Sequence, residues 1–423
     1  MGIRFEASFL DEIRSKVDLV DLIGREVQLK RAGQTFAACC PFHEEKTPSF
    51  NVSPTRNTYR CWGCGASGNA IDWMRKRHHM TFPEAVEHLA SVCGLPLPKA
   101  PQDTPEDAAR RKHLAELYQA LRTAARAFSR GLDRSTAGRA YLETTRGLSA
   151  ETIARYDLGV VEKGVVGFME STVGRAALIA SGLAAERADG SLYDRFRYRV
   201  MFPIHNEAGT LIGFAGRSML EKPDKTPKYL NSPETELFHK GRELYGLHLA
   251  KQAIRASGVG VVVEGYFDVI GLGQAGEDRA VAPMGTAMTG TQIRRLLAHA
   301  DTIVFAFDGD AAGTKAALSA ATVLLEEMRD GKAAKFLFLP EGKDPDEFVR
   351  AYGIDAWRDA LNTGMPLSTF LVGHVTQGMD RSLVESQVAA VARARELLAR
   401  IQHAETFRRA LELKLSEAIG LAV

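Results

Sequence analysis

Polar and apolar positions alternate through DRFRYRVMFPI (194–204) and again through TLIGFAGRSML (210–220), with the turn residues NEAG between them. Period two on both sides of a short glycine-containing loop predicts a β-hairpin. Beyond residue 258 the pattern changes to short, continuous apolar runs: VGVVVEG (259–265), DTIVFAFDGD (301–310) and KFLFLPEGKD (335–344). Strands buried on both faces read this way, and helical spacing near 268–274, 290–299 and 312–330 supplies the covering helices of βα units. Helical periodicity is also predicted near 8–23, 69–92 and 107–145, and through most of the last fifty residues. Pro96, Pro98, Pro101 and Pro105 crowd a stretch that neither a packed helix nor a central strand tolerates, which predicts an extended linker.

The predicted architecture is a mixed α+β and α/β multidomain chain. A small cysteine-containing domain spans 1–98 and the proline-rich linker 99–109. A basic subdomain spans 110–257, a parallel-sheet subdomain 258–350 and a helical subdomain 351–423. No run approaches the length of a membrane helix, and the acidic, weakly apolar N-terminus is not a secretory signal, so no membrane partner is expected. The net charge of +2 conceals a distribution: +5 over 101–260 and −4 over 261–345. A basic block beside an acidic one suits an anionic polymer held next to a cation-binding centre.

Four of the five cysteines lie between residues 39 and 64. That clustering points to a metal in a reducing compartment rather than to disulfides. Cys40-Pro-Phe-His43 and Cys61-Trp-Gly-Cys64 are two ligand pairs able to close a tetrahedral structural zinc site, with Cys39 an alternative to Cys40 by spacing alone. Cys93 reads as a small core residue. Between the pairs, Lys46, Arg56 and Arg60 interleave with Phe50, Tyr59 and Trp62. Such a mixture serves equally as a single-strand contact surface or as the minimal core of a zinc ribbon.

Glu264, Asp308 and Asp310 end two apolar strands, and Asp344 and Asp346 follow a third, with Asp268 one helical turn beyond Glu264. Carboxyl ends of parallel strands form the ligand crevice of open α/β sheets. So many carboxylates in one place make sense around hard cations, Mg²⁺ or Mn²⁺, and two such ions suit phosphoryl displacement. An EF-hand is excluded by Ala312 and Ser319, and no P-loop occurs anywhere in the chain. In the basic half, Arg195, Arg197 and Arg199 are expected on one strand face as a phosphate-binding stripe.

Together the motifs resemble a known family. EGYFDVI (264–270), FDGDAAG (307–313) and GKDPDEF (342–348) resemble the Toprim domain of primases and topoisomerases. CPFHEEKTPSF followed by CWGCGASGNAIDW resembles the zinc domain of bacterial replicative DNA primases of the DnaG type, which favours Cys40 over Cys39. RYRVMFPIHNEAGTLIGFAGR and PKYLNSPETELFHKGRELYG resemble the remaining half of that family's polymerase core, so the resemblance runs from about residue 8 to 350.

The resemblance implies Glu264, Asp308 and Asp310 as catalytic metal ligands, with Glu264 a candidate general acid or base and Asp268, Asp344 and Asp346 supporting. It implies Arg146, Arg199, Arg217, Lys228, Tyr229, Asn231 and Lys240 as template or nucleotide contacts, and the loop Pro283–Ala287 beside the metals. The implied activity is RNA primer synthesis on single-stranded DNA from ribonucleoside triphosphates, passing through an RNA–DNA hybrid. The cofactors would be one structural Zn²⁺ and two or more Mg²⁺ or Mn²⁺ ions. The setting would be the bacterial cytoplasm at the replication fork, with replicative helicase and single-strand-binding protein as family partners. A monomer is expected. Members carry a further helicase-binding domain, which is expected to be absent from residues ending at Val423.

Overall fold

The computed structural model describes residues 5–78, 80–97, 104–220, 227–285, 287–340 and 343–423, which form two compact units, Met1–Ala108 and Ala109–Val423. The core of the predicted linker, with Thr286 and Gly342 of the predicted site loops, lies outside the described residues. From Pro105 onward the linker prediction gives way to helix. Proline is well tolerated in a first helical turn, and the Asp107 amide donates to the Thr104 hydroxyl at 3.1 Å.

In the first unit, β1 (Lys30–Ala32), β2 (Thr35–Ala38), β3 (Phe50–Ser53), β4 (Thr58–Cys61) and β5 (Ser67–Gly68) form one antiparallel sheet in chain order. The helix predicted over 8–23 is two helices, Ala7–Lys16 and Leu19–Gly24, because Asp18 turns its carboxylate onto the Val20 and Asp21 amides and starts a new one. The helix predicted over 69–92 likewise breaks into Ala70–Arg77 and Phe82–Val92, where Thr81 and Glu84 form a capping box ahead of the second. Phe50, Tyr59 and Trp73 are buried and in mutual ring contact. Trp62, by contrast, is 68% exposed, with the Arg60 guanidinium 4.2 Å above its ring. The interleaved aromatics therefore divide: Phe50 and Tyr59 build the core, and Trp62 faces solvent.

The second unit holds most of the helix Pro105–Arg134, followed by β6 (Gly159–Val161), the small hairpin β7 (Ala184–Glu186) and β8 (Leu192–Asp194), then β9 (Arg199–His205), β10 (Leu211–Ser218) and β11 (Tyr229–Asn231). The predicted hairpin is β9 and β10, paired antiparallel within a sheet of order β11-β10-β9-β6. Its two faces separate cleanly. Met201 and Phe214 pack under the long helix, while Val200, Phe202, Ile204 and Ala215 face the opposite way into a second core. Gly131 and Gly159 permit the close approach, since a Cβ on either would overlap backbone atoms of the partner segment.

The second sheet holds β12 (Val259–Val262), β13 (Ala280–Val281), β14 (Thr302–Phe307), β15 (Ala333–Phe338) and β16 (Met365–Pro366), in the order β13-β12-β14-β15-β16. The first four are parallel and β16 is an antiparallel edge. The three apolar runs are its central strands; β13, only two residues long, gave no periodic signal. Along β14, Val304 and Ala306 face the core shared with the antiparallel sheet. Ile303, Phe305 and Phe307 face the helices Gly290–Leu297 and Ala311–Glu327 and the C-terminal helices. Phe370 of the helix Leu367–Thr376 stacks on Phe336 with ring centroids 4.5 Å apart, seating the helical segment on the sheet.

Candidate functional site

Strand order decides where a ligand crevice forms. From β12 the chain moves to β13 on one side and returns to β14 on the other, so the switch point lies between the carboxyl ends of β12 and β14. Glu264 follows β12 and Asp308 follows β14. Burial raises the Glu264 carboxyl, and the Asp308 backbone partly offsets that rise. Asp310 and Asp344 cap the helices Ala311–Glu327 and Pro345–Thr363 by accepting from the Gly313 and Glu347 amides, each at 2.7 Å. Asp268 accepts from the Gly265 amide at 2.8 Å. Capping occupies one oxygen of each carboxylate and leaves the other available, so these acids are caps and crevice-lining groups together.

Electrostatics tie them into one cluster. Burial, with the charges of Glu264, Asp344 and Asp310, pushes the Asp308 carboxyl up to about 6. Burial and the charges of Asp344, Asp308 and Asp346 push Asp268 up to about 8. Asp346 is raised to about 6 by burial even though Arg350 pairs with it at 2.8 Å. Gly271 makes room for Asp346, because a Cβ there would overlap its carboxylate. Carboxylates assembled at such an energetic cost suit hard divalent cations, and oxygen-only donors fit Mg²⁺ or Mn²⁺. The set is more open than the zinc ligands: among the described residues, the cysteine and histidine cluster is the one group of three or more whose ligand atoms converge for a metal.

Beside this crevice, Tyr141 sits on a five-residue π-helical turn and accepts hydrogen bonds from Arg146 at 3.2 Å and from Arg217 at 2.6 Å. The Arg146 guanidinium lies 4.2 Å over the Phe267 ring and that of Arg217 lies 5.1 Å over Tyr229. Asn231 donates to the Met284 carbonyl at 3.0 Å and accepts from the Tyr266 hydroxyl at 2.8 Å, joining β11 to the loop after β13. Lys228 is exposed beside them. Lys240 is held through its backbone, its amide donating to Glu234 and its carbonyl accepting from Gln292. Tyr141, Tyr266 and Arg350 were not singled out by the sequence. An aromatic five residues ahead of Arg146 was the available signal for the first.

Arg199 corrects an expectation. It is 3% exposed, and its guanidinium donates to the carbonyls of Gly216 at 3.0 Å, Pro227 at 2.9 Å and Lys228 at 3.4 Å. The expected stripe of Arg195, Arg197 and Arg199 does not form. β9 begins only at Arg199, and Tyr198 before it takes a left-handed conformation with φ 52°. Arg199 therefore organises the approach to β11 from inside. Arg199→Met is expected to lower stability by roughly 3 kcal/mol, because three carbonyls lose a charged donor. Thermal melting checks it; an unchanged melting temperature with weakened DNA binding would return Arg199 to the contact surface.

In the first unit Cys40, His43, Cys61 and Cys64 bring their ligand atoms within 4.8 Å of one another. Cys40 and Cys64 sulfurs are 3.8 Å apart, matching the roughly 3.8 Å edge of a tetrahedron with Zn–S bonds of about 2.3 Å. The Phe42 and Cys64 amides donate to the Cys40 and Cys61 sulfurs at 3.4 and 3.3 Å. Cys39 is exposed and outside the cluster, and Cys93 packs at the edge of the core. Three sulfurs and one imidazole with no open position fit a structural Zn²⁺.

Glu45 supports the cluster from behind. One oxygen accepts from the Cys40 amide at 2.6 Å and the Ser49 amide at 3.1 Å, and the other lies 3.2 Å from His43 Nε2. His43 thus keeps Nδ1 towards Cys61, at 3.8 Å. Glu45→Ala is expected to weaken zinc binding about 10- to 100-fold, read by competition with a chromogenic chelator. Unchanged affinity would remove Glu45 from this role.

Three family models match: CHC2 zinc finger over residues 5–104, DNA primase catalytic core N-terminal domain over 127–251, and Toprim-like over 261–349. A DNA primase of Neisseria meningitidis is 43% identical over 98% of this chain and 70% of its own length. One from Escherichia coli is 40% identical over the whole of this chain and 72% of its own length. The solved zinc-binding and RNA polymerase domains of the Aquifex aeolicus primase match with a TM-score of 0.62 at 31% identity, covering 97% of each chain. A DnaG primase catalytic domain bound to single-stranded DNA matches with a TM-score of 0.66 at 38% identity, over 73% of this chain and 99% of its own. With an acidic crevice at a parallel-sheet switch point, a closed zinc cluster and relatives of this identity along its length, the chain belongs to the DnaG-type family of bacterial DNA primases.

Proposed function

We propose that this nucleotidyltransferase makes short RNA primers on single-stranded DNA by joining ribonucleotides at the crevice between β12 and β14. The observation that carries the proposal is a pair of oppositely charged groups at the switch point: the carboxylates, and beside them Arg146, whose charge acts on Asp346 and which shares the Tyr141 hydroxyl with Arg217. In the reaction the 3′-hydroxyl of one ribonucleotide attacks the α-phosphorus of the next, a P–O bond forms, and pyrophosphate leaves. Glu264, Asp308 and Asp310, with Asp268, Asp344 and Asp346 around them, would hold Mg²⁺ or Mn²⁺, which when bound neutralises phosphate charge and acidifies the attacking hydroxyl.

The protein's own groups do the positioning. Arg146 and Arg217 share the Tyr141 hydroxyl and lie against aromatic faces, so both guanidiniums are held in place with further donors free for phosphate. Asn231 and Tyr266 hold β11 against the loop after β13, fixing the wall of the crevice. Exposed Trp62, stacked by Arg60, gives the zinc unit a surface on which a template base can stack. The assay is primer synthesis on single-stranded DNA with labelled ribonucleotides and Mg²⁺. Short RNA is the expected product; DNA binding with no RNA made, even with added Mn²⁺, would overturn the proposal.

A further inference from the structure

We propose that the outer face of the helix Pro105–Arg134 is a track for the backbone of the single-stranded template, carried by Arg122, Arg126, Arg130 and Arg134. The inference rests on the template reading above and extends it to the side of the antiparallel sheet that faces away from the acidic crevice. The helix buries Leu117, Ala120, Leu121, Ala124 and Phe128 against that sheet, and Leu132 on the same stripe in the neighbouring core. At 100° per residue these define one stripe, and the four arginines lie on the opposite side of the helix. All four are exposed.

Two further features separate them from an ordinary solvated helix surface. Among the described residues none of the four makes an ion pair or a side-chain hydrogen bond. Other surface arginines do find carboxylates: Arg110, on this same helix, pairs with Glu236 of a later loop, and Arg139, Arg155 and Arg400 are paired as well. Between the four, the helix offers Thr123, Ala125, Ala127 and Ser129, and its one acid in this stretch, Asp133, lies 3.8 Å from Arg139. Four cations left without counter-charges on adjacent turns repel one another, and a polyanion relieves that repulsion. Their spacing of four residues puts successive guanidiniums about 6 Å apart along the axis. A flexible strand, with one phosphate per nucleotide, can follow such a line as it winds round the helix, whereas a stiff duplex would meet a single helix at only one or two phosphates.

The track is also continuous with the rest of the unit. Ser135, next after Arg134, donates to the Glu162 carboxylate at 2.6 Å, and the Glu162 carbonyl accepts from the Tyr198 amide at 3.1 Å. Tyr198 is 48% exposed and enters β9, which leads through β10 to Arg217 and β11. Template leaving the crevice along that edge therefore arrives at Arg134.

The test uses the full chain and two labelled oligodeoxynucleotides, one of about six nucleotides and one of about thirty, titrated across a salt series. Changing all four residues to Gln (R122Q, R126Q, R130Q and R134Q together) should weaken binding of the long oligonucleotide at least 10-fold. The slope of log affinity against log salt should shrink by up to about 2.8, at about 0.7 per single-strand phosphate. Binding of the short one and the melting temperature should stay as in wild type, and the corresponding four-Lys variant should keep most of the slope. An unchanged slope would overturn the proposal, as would equal weakening of both oligonucleotides, or unchanged DNA binding with loss of an acidic protein partner. Wild type that binds neither oligonucleotide and makes no primer would instead bring down the template reading, and the track with it.

Discussion

Asp308→Asn is expected to reduce primer synthesis by at least about 100-fold while leaving the fold and single-strand affinity in place. The side chain follows β14 at the switch point, where burial and the acidic neighbours Glu264, Asp344, Asp310 and Glu347 already push its carboxyl up to about 6. Asparagine keeps its size and removes only the charge. The main chain is pinned independently of that charge: Gly313 packs so closely on the Asp308 carbonyl that a Cβ would overlap it. The sign of the stability effect separates chemistry from folding. Without divalent cations the clustered carboxylates repel, so removing one charge should leave the melting temperature unchanged or raise it. Added Mg²⁺ should stabilise wild type by preferential binding to the folded state, and stabilise the variant less. Synthesis and Mg²⁺-dependent stabilisation measured side by side check both halves. A variant that still makes primer would sink the assignment of Asp308.

The acids were legible in the sequence because a carboxylate placed straight after an apolar parallel strand can only emerge at the crevice edge. The zinc ligands were legible because paired spacing is itself the geometry. What escaped depends on contacts between distant segments. Tyr141 meets Arg217 across 76 residues, through a π-helical turn that no periodicity announces. Arg199 reads as one of three alternating cations, yet three carbonyls from β10 and the approach to β11 draw it inside. The left-handed Tyr198 breaks the alternation at the point where a surface stripe would need it. Helix breaks at Asp18, Thr81 and Ser135 escaped for a different reason. Local caps override a helical hydrophobic pattern that runs on through them, and each cap is a single residue whose competing role the pattern does not weigh.

Removing zinc should unfold the first unit while the second melts as before. The five strands of this unit are two to four residues long, and its aromatic core is one cluster around Trp73. Short strands of this kind need help from outside a small core. The ligands tie the β2–β3 connection, which carries Cys40 and His43, to the β4–β5 connection, which carries Cys64, with Cys61 ending β4 itself. Structural zinc contributes apparent free energies of about 10–16 kcal/mol in finger peptides, comparable to the whole stability of a domain of this size. Chelation, or Cys61→Ser, should therefore abolish the low-mobility fluorescence of buried Trp73 and remove one of two calorimetric transitions. Cys39→Ser should do neither, because Cys39 is exposed and outside the ligand set. Persistence of the first unit's transition after complete zinc removal would show that the aromatic cluster alone suffices. The metal would then act only to shape the surface around Trp62.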